Sequence, residues 1–138
     1  MRIERVEIEE FGKLSAFEWE PDSGFQVVFG NNEDGKSTLM AFLKLMLYGD
    51  TGRYQALERS PRKRYRPWDG GPMRGAVEFT ARNKAYRLEK TFGETAGRDR
   101  VRLLEKGTGE AVPLGKGEEV GARFLGLNLS EFERTCFV

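Results

Sequence analysis

The chain has 138 residues, 38% hydrophobic and 33% charged, which is enough for one domain with a core of its own. It has no histidine and one cysteine, Cys136, which excludes an internal disulfide, an imidazole base and a zinc centre of the Cys/His kind; any catalysis must use carboxylates, lysine, arginine, backbone and bound metal. Net charge is +1 but uneven, because residues 1–35 hold three basic and nine acidic side chains, a net of −6 that leaves +7 for the remainder.

In chain order, the N-terminus Met1-Arg2-Ile3-Glu4-Arg5 lacks the apolar stretch of a signal peptide, and no later run approaches a membrane span, so a cytoplasmic protein with no membrane contact is expected. Arg2 to Glu10 carries Ile3, Val6 and Ile8 among charges and reads as a first strand with imperfect alternation. Gly12 turns it. Leu14 to Glu20 then places Phe17 and Trp19 on one side and Glu18 and Glu20 on the other, a second strand, and Pro21-Asp22-Ser23-Gly24 leads into a third. These three strands are expected to form a sheet edge around the element that follows.

That element is Gly30-Asn31-Asn32-Glu33-Asp34-Gly35-Lys36-Ser37-Thr38, which satisfies G-x-x-x-x-G-K-[ST]. Phe25 to Phe29 before it has the composition of a buried strand, and after it Leu39, Phe42, Leu43, Met46 and Leu47 recur on one face of a helix that Gly49 closes. The order strand, glycine loop, helix is that of a P-loop. The first helical N–H groups have no partner within the helix and its dipole is positive at the same end, so phosphate oxygens satisfy both. Gly30 and Gly35 permit close backbone approach, Lys36 reaches the β- and γ-phosphates, the Ser37 hydroxyl ligates Mg²⁺, and Thr38 is a candidate donor to the α-phosphate. Glu33 and Asp34 would repel a polyphosphate if turned inward, so they are expected to face out. Leu45 to Tyr48 ahead of Asp50 imitates a Walker B strand, but it continues the helical period and is read as helix.

Arg53, Arg59, Arg62, Lys63, Arg64 and Arg66 stand against Glu58 alone between residues 53 and 68, interleaved with Tyr54, Tyr65 and Trp68. The segment suits contact with the phosphates of nucleic acid or of the nucleotide, and equally an ordinary solvated loop. From Gly75 the period is two: Val77, Phe79 and Ala81, then Tyr86 and Leu88 after Arg82-Asn83-Lys84, predict a β-hairpin. Val101 to Lys106 and Ala111 to Leu114 predict a second, around Gly107-Thr108-Gly109-Glu110, with a polar connection over 93–99. A short helix is expected from Glu118 through Val120, Phe124 and Leu127, weakened by Gly121, and another from Ser130, where Ser130 and Glu133 fit a capping box. The parts are a P-loop core over 1–52, a basic loop over 53–74, an antiparallel β layer over 75–114 and short helices over 118–136. The fold class expected is α/β, a P-loop NTPase with a mixed sheet around the central strand and helix. No acid for Mg²⁺ and no water-orienting residue appears, so the chain reads as the N-terminal lobe of a longer protein.

Arg2 to Ile8, Glu10 to Leu14, the P-loop with Leu39 to Gly49, and the order of the remaining elements, including Tyr65-Arg66-Pro67-Trp68 and Phe132 to Val138, resemble the N-terminal half of an SMC-like ABC ATPase head of the SbcC, YhaN and RecF type. The resemblance implies ATP and Mg²⁺ as ligands, with Gly30, Asn31, Asn32, Glu33, Asp34, Gly35, Lys36, Ser37 and Thr38 at the nucleotide and Lys36 the catalytic lysine. Lys13, Arg62, Lys63 and Arg64 are further nucleotide candidates. Arg53, Arg59 and Arg66 are candidates for DNA. Relatives often carry Arg directly after the Phe of the first strand, where this chain has Gly12 followed by Lys13. The resemblance also implies a Q-loop glutamine after Val138 and a C-terminal half supplying the signature motif, Walker B Asp and catalytic Glu. Its partners would be a second head in an ATP-dependent homodimer, DNA, and a nuclease of the SbcD kind. The residues also admit a small kinase, a transporter ATPase, or a nucleic-acid-binding module working through 53–68.

Overall fold

The computed structural model describes residues 2–21, 33–49, 73–93, 99–114, 119–126 and 131. Five strands form one antiparallel sheet: β1 (Arg2–Phe11), β2 (Leu14–Trp19), β3 (Met73–Ala81), β4 (Lys84–Phe92) and β5 (Arg100–Glu105), in the order β2-β1-β3-β4-β5. Helix α1 (Glu33–Tyr48) lies on the inner face, and a short helix α2 (Val120–Leu125) meets its C-terminal end. The strand expected over 25–29 and the basic loop lie outside the described residues, as does the helix from Ser130 apart from residue 131.

The 1–20 hairpin stands at one edge of this sheet, as β2 ends it and β1 pairs with β3 along most of its length, continuing the antiparallel layer. Parallel pairing, which the mixed-sheet expectation required, is absent among the described strands.

The imperfect alternation of β1 has a physical cause. Against β3, the register of β1 shifts between Ile3 and Arg5 and again between Ile8 and Glu10. Each shift inserts one residue, Glu4 or Glu9, and moves the inward set by one position. Hence Val6 and Ile8 point into the core on one parity and Phe11 on the other, all at 1% exposure or less. Opposite Glu9, Ala16 of β2 takes φ 49° and the two do not pair, while the ladder resumes on both sides. The two tight turns follow from their residues: Gly12 has φ 57°, and Arg82 and Asn83 have φ 52° and 65°, the two positive values of a type I′ loop.

β5 pairs along its length with β4, but the hairpin expected between 101–106 and 111–114 does not form a full ladder. Leu104 and Ala111 form a single bridge, flanked by hydrogen bonds from the Glu105 N–H to the Glu110 carbonyl (2.9 Å) and from the Val112 N–H to the Leu103 carbonyl (2.7 Å). Pro113, which has no N–H, follows at once, so the expected strand over 111–114 does not extend.

The apolar face predicted for α1 is buried as read, with Leu39, Phe42, Leu43, Met46 and Leu47 at 3% exposure or less. Leu45 and Tyr48 are also buried, so the last turns are covered on more than one side. Phe42 meets Phe11 edge to face at 5.3 Å between centroids and lies over Gly75, where a Cβ would overlap its ring. The sheet accepts the helix this closely because β3 has no side chain there.

Candidate functional site

α1 starts inside the glycine-rich motif, at Glu33, earlier than the sequence suggests. Gly35, Lys36, Ser37 and Thr38 therefore lie on its first turns, at the end where the helix dipole is positive. Gly35 and Thr38 are buried, Lys36 is half-buried and Ser37 is exposed. Anchored by the apolar face one turn on, this end presents an accessible hydroxyl next to a lysine, which is the donor set a nucleotide phosphate with Mg²⁺ requires. Gly30, Asn31 and Asn32 lie outside the described residues, and only the backbone of Glu33 and Asp34 is described.

Lys13 is exposed in the β1–β2 turn, on a different element from Lys36. Arg53, Arg59, Arg62, Lys63, Arg64 and Arg66 lie outside the described residues. Among the described residues no group of three or more acidic, His or Cys side chains is placed to hold a metal ion. Leu45 to Tyr48 is helical, in agreement with its rejection as a Walker B strand.

Two features escaped the sequence reading. The first is the outer face of the sheet, where alternating charges form a chain across it: Glu18 to Arg5 (2.8 Å), Arg5 to Glu7 (3.2 Å), Glu7 to Arg87 (2.6 Å), Arg87 to Glu89 (3.1 Å) and Glu89 to Arg102 (3.8 Å). Burial alone would push the Glu78 carboxyl up, but hydrogen bonds from Lys106 (3.1 Å) and Arg87 (2.8 Å) outweigh it and hold the group below its ordinary value. Burial likewise opposes the charged form of Arg87, and hydrogen bonds to Glu7, Glu89 and Glu78 overcome it, so its pKa is raised. An open groove of about 780 Å³ crosses this face beside the ion pairs. At its β3–β5 end the register aligns Arg74, Thr91 and Arg100 in one row, with Arg102 in the next. Arg74 pairs with Glu9 (3.1 Å), while Arg100 has no ion-pair partner among the described residues. Regular alternation in 74–102 is the signal that would have found this row, once strand order was known.

The second is Lys90, on the inward side of β4 between Leu88 and Phe92 and 7% exposed. A lysine where the alternation demands an apolar residue is a signal the sequence does carry. Its Nζ donates to the Leu45 carbonyl (3.3 Å) and lies 3.7 Å from the Glu119 carboxylate.

A helix carrying G-K-S-T on its first turns and backed by an antiparallel sheet defines a P-loop domain of α/β type. The profile of the AAA domain family matches residues 5–130, and the chain belongs to that family of ATPase-type domains. It is 32% identical over 116 residues to the DNA replication and repair protein RecF of Magnetococcus marinus, covering 84% of this chain and 28% of RecF. It is also 34% identical over 98 residues to the uncharacterized protein YhaN of Bacillus subtilis, covering 67% of this chain and 9% of YhaN. These matches bear out the resemblance to the N-terminal region of SMC-like ATPases. The chain spans under a third of either relative. No helix among the described residues is long and apolar enough to cross a membrane.

Proposed function

We propose that this chain is the ATP-binding lobe of an SMC-like ATPase that couples nucleotide binding and hydrolysis, in a dimer of heads, to DNA maintenance. The observation that carries the reading is the position of Gly35 to Thr38 on the first turns of a helix whose other face is buried in the core. Mg-ATP, when bound, supplies the phosphoanhydride and its metal. The chain's own residues hold it: the backbone N–H groups donate to phosphate oxygens, Lys36 offsets the β- and γ-phosphate charge, and the Ser37 hydroxyl offers a ligand to the metal. The acid that completes the metal site and the residue that orients water are assigned to the rest of a longer protein, together with the signature motif and the second head. A nuclease partner belongs to the same reading.

Calorimetric titration of Mg-ATP and Mg-GTP into the 138-residue chain, wild type beside Lys36→Ala, tests it. Binding to the wild type that the substitution abolishes is expected, with weak or absent hydrolysis by the chain alone. Binding unchanged in the variant would sink the assignment.

The DNA component is supported by RecF, whose name records DNA replication and repair, and by the arginine row on the sheet. Phosphate binding by these side chains predicts affinity that falls steeply with salt. Replacing Arg74, Arg100 and Arg102 by glutamine should flatten the salt dependence by about one unit of slope for each phosphate no longer neutralised. An unchanged slope would move the DNA reading to the basic segment over 53–68.

A further inference from the structure

We infer that Lys90 is a positioning residue for the nucleotide site, joining the far end of the P-loop helix to α2 so that nucleotide at one end of α1 is felt at α2. The inference rests on the nucleotide reading above.

A lysine at 7% exposure is costly to keep charged unless its ammonium is met by opposite charge and acceptors. Both are present, and each belongs to a different helix. The Leu45 carbonyl lies in the last turn of α1, where the dipole is negative, and that turn contains no basic residue of its own. Lys90 supplies from β4 the positive charge that a helix C-terminus favours. Leu45 also accepts the Gly49 N–H at 2.9 Å, so one carbonyl receives both the helix-closing bond and the lysine. The second group, Glu119, is the N-cap residue of α2, and its side chain makes no capping bond within its own helix.

The surroundings leave this joint little slack. Gly49 closes α1 with φ 68°, and a Cβ there would stand 2.8 Å from a Glu119 carboxylate oxygen. Gly121 of α2 lies against the Tyr48 ring so closely that a Cβ would overlap it. Phe124 packs on Phe79 and Tyr86 at 5.3 and 4.9 Å between centroids, which ties α2 to the sheet. Among the described residues, the Leu45 carbonyl at the negative end of α1 and the Glu119 carboxylate before α2 both face the Lys90 ammonium. A displacement of α1 along its axis changes the Leu45–Lys90 distance directly, because Lys90 is anchored on a central strand and Leu45 is rigidly connected to Lys36. Glu119 must follow or give up its ion pair.

Hydrogen exchange of the whole 138-residue chain with and without Mg-ATP, alongside calorimetry, tests this in wild type, Lys90→Met, Glu119→Gln and the double variant. In the wild type, Mg-ATP should slow exchange of the α2 amides of Arg123 and Gly126, which bond to the Glu119 and Ala122 carbonyls. Either single substitution should weaken Mg-ATP binding by about fivefold and remove the protection of α2, and the double variant should be no worse than either single one. Glu119 is partly exposed, so Glu119→Gln carries the test if Lys90→Met fails to fold. Mg-ATP binding without protection of α2, or additive losses in the double variant, would overturn the coupling while leaving the nucleotide reading intact. Absence of Mg-ATP binding to the wild type would overturn the nucleotide reading and the coupling together.

Discussion

At Gly75 a single missing side chain decides how near the P-loop helix comes to the sheet. A Cβ would meet both the Phe42 ring and the Glu7 carbonyl oxygen, one a packed aromatic and the other backbone of the adjacent strand, so neither can yield cheaply. Gly75→Ala should destabilise the chain by about 1–3 kcal/mol through overpacking, read from the urea midpoint at constant m-value. Phe42→Ala is the converse case. It empties the space over Gly75 and should cost about 3–5 kcal/mol. Gly121 has the same role against Tyr48, and the sequence reading of it as a mere weak point in a helix missed that purpose: the helix forms, and Gly126 with φ 70° ends it before Leu127.

Among the elements, the outer face of the sheet has a definite pH signature. Glu78 is held below its ordinary carboxylate value, so its contribution to stability is fully present above the unfolded-state value, near 4.5, and is lost as the pH falls through the lower folded-state value. Lys106→Met removes one of the two donors that lower it. Melting temperatures of the wild type should exceed those of Lys106→Met at neutral pH and converge with them in strong acid. Parallel curves across that range would show that Lys106 acts through packing alone. Glu78 suits this test because its side chain is only 16% exposed, whereas exposed pairs such as Arg2–Glu4 add little.

For the whole molecule, ligand linkage gives the broadest check. If Mg-ATP binds the folded chain alone, a concentration a hundredfold above the dissociation constant should stabilise it by about 2.7 kcal/mol, and Lys36→Ala should abolish the shift. Glu119→Gln should retain a reduced shift, since Glu119 lies against the opposite end of α1 from Lys36.

Much of this was readable along the chain. The P-loop motif, the buried face of α1, the Gly49 cap and the Arg82-Asn83 turn are local matters, decided by backbone freedom and by side-chain periods of 3.6 and 2. The larger failures were of partnership. Nothing in Arg2 to Phe11 announces that its neighbour is β3, some seventy residues away, or that Glu4 and Glu9 are the inserted residues that reset its faces. The arginine row joins positions 74, 91 and 100, which become neighbours only when three strands fall into register. Lys90 was visible as a charge at an apolar position, but its meaning depends on a carbonyl 45 residues earlier and a carboxylate 29 residues later. Local chemistry determined which segments are helix, strand and tight turn, because those choices minimise free energy over a few residues. The sheet order, the charged outer face and the joint at the end of α1 were decided by tertiary structure, because they depend on pairings between residues far apart in the chain.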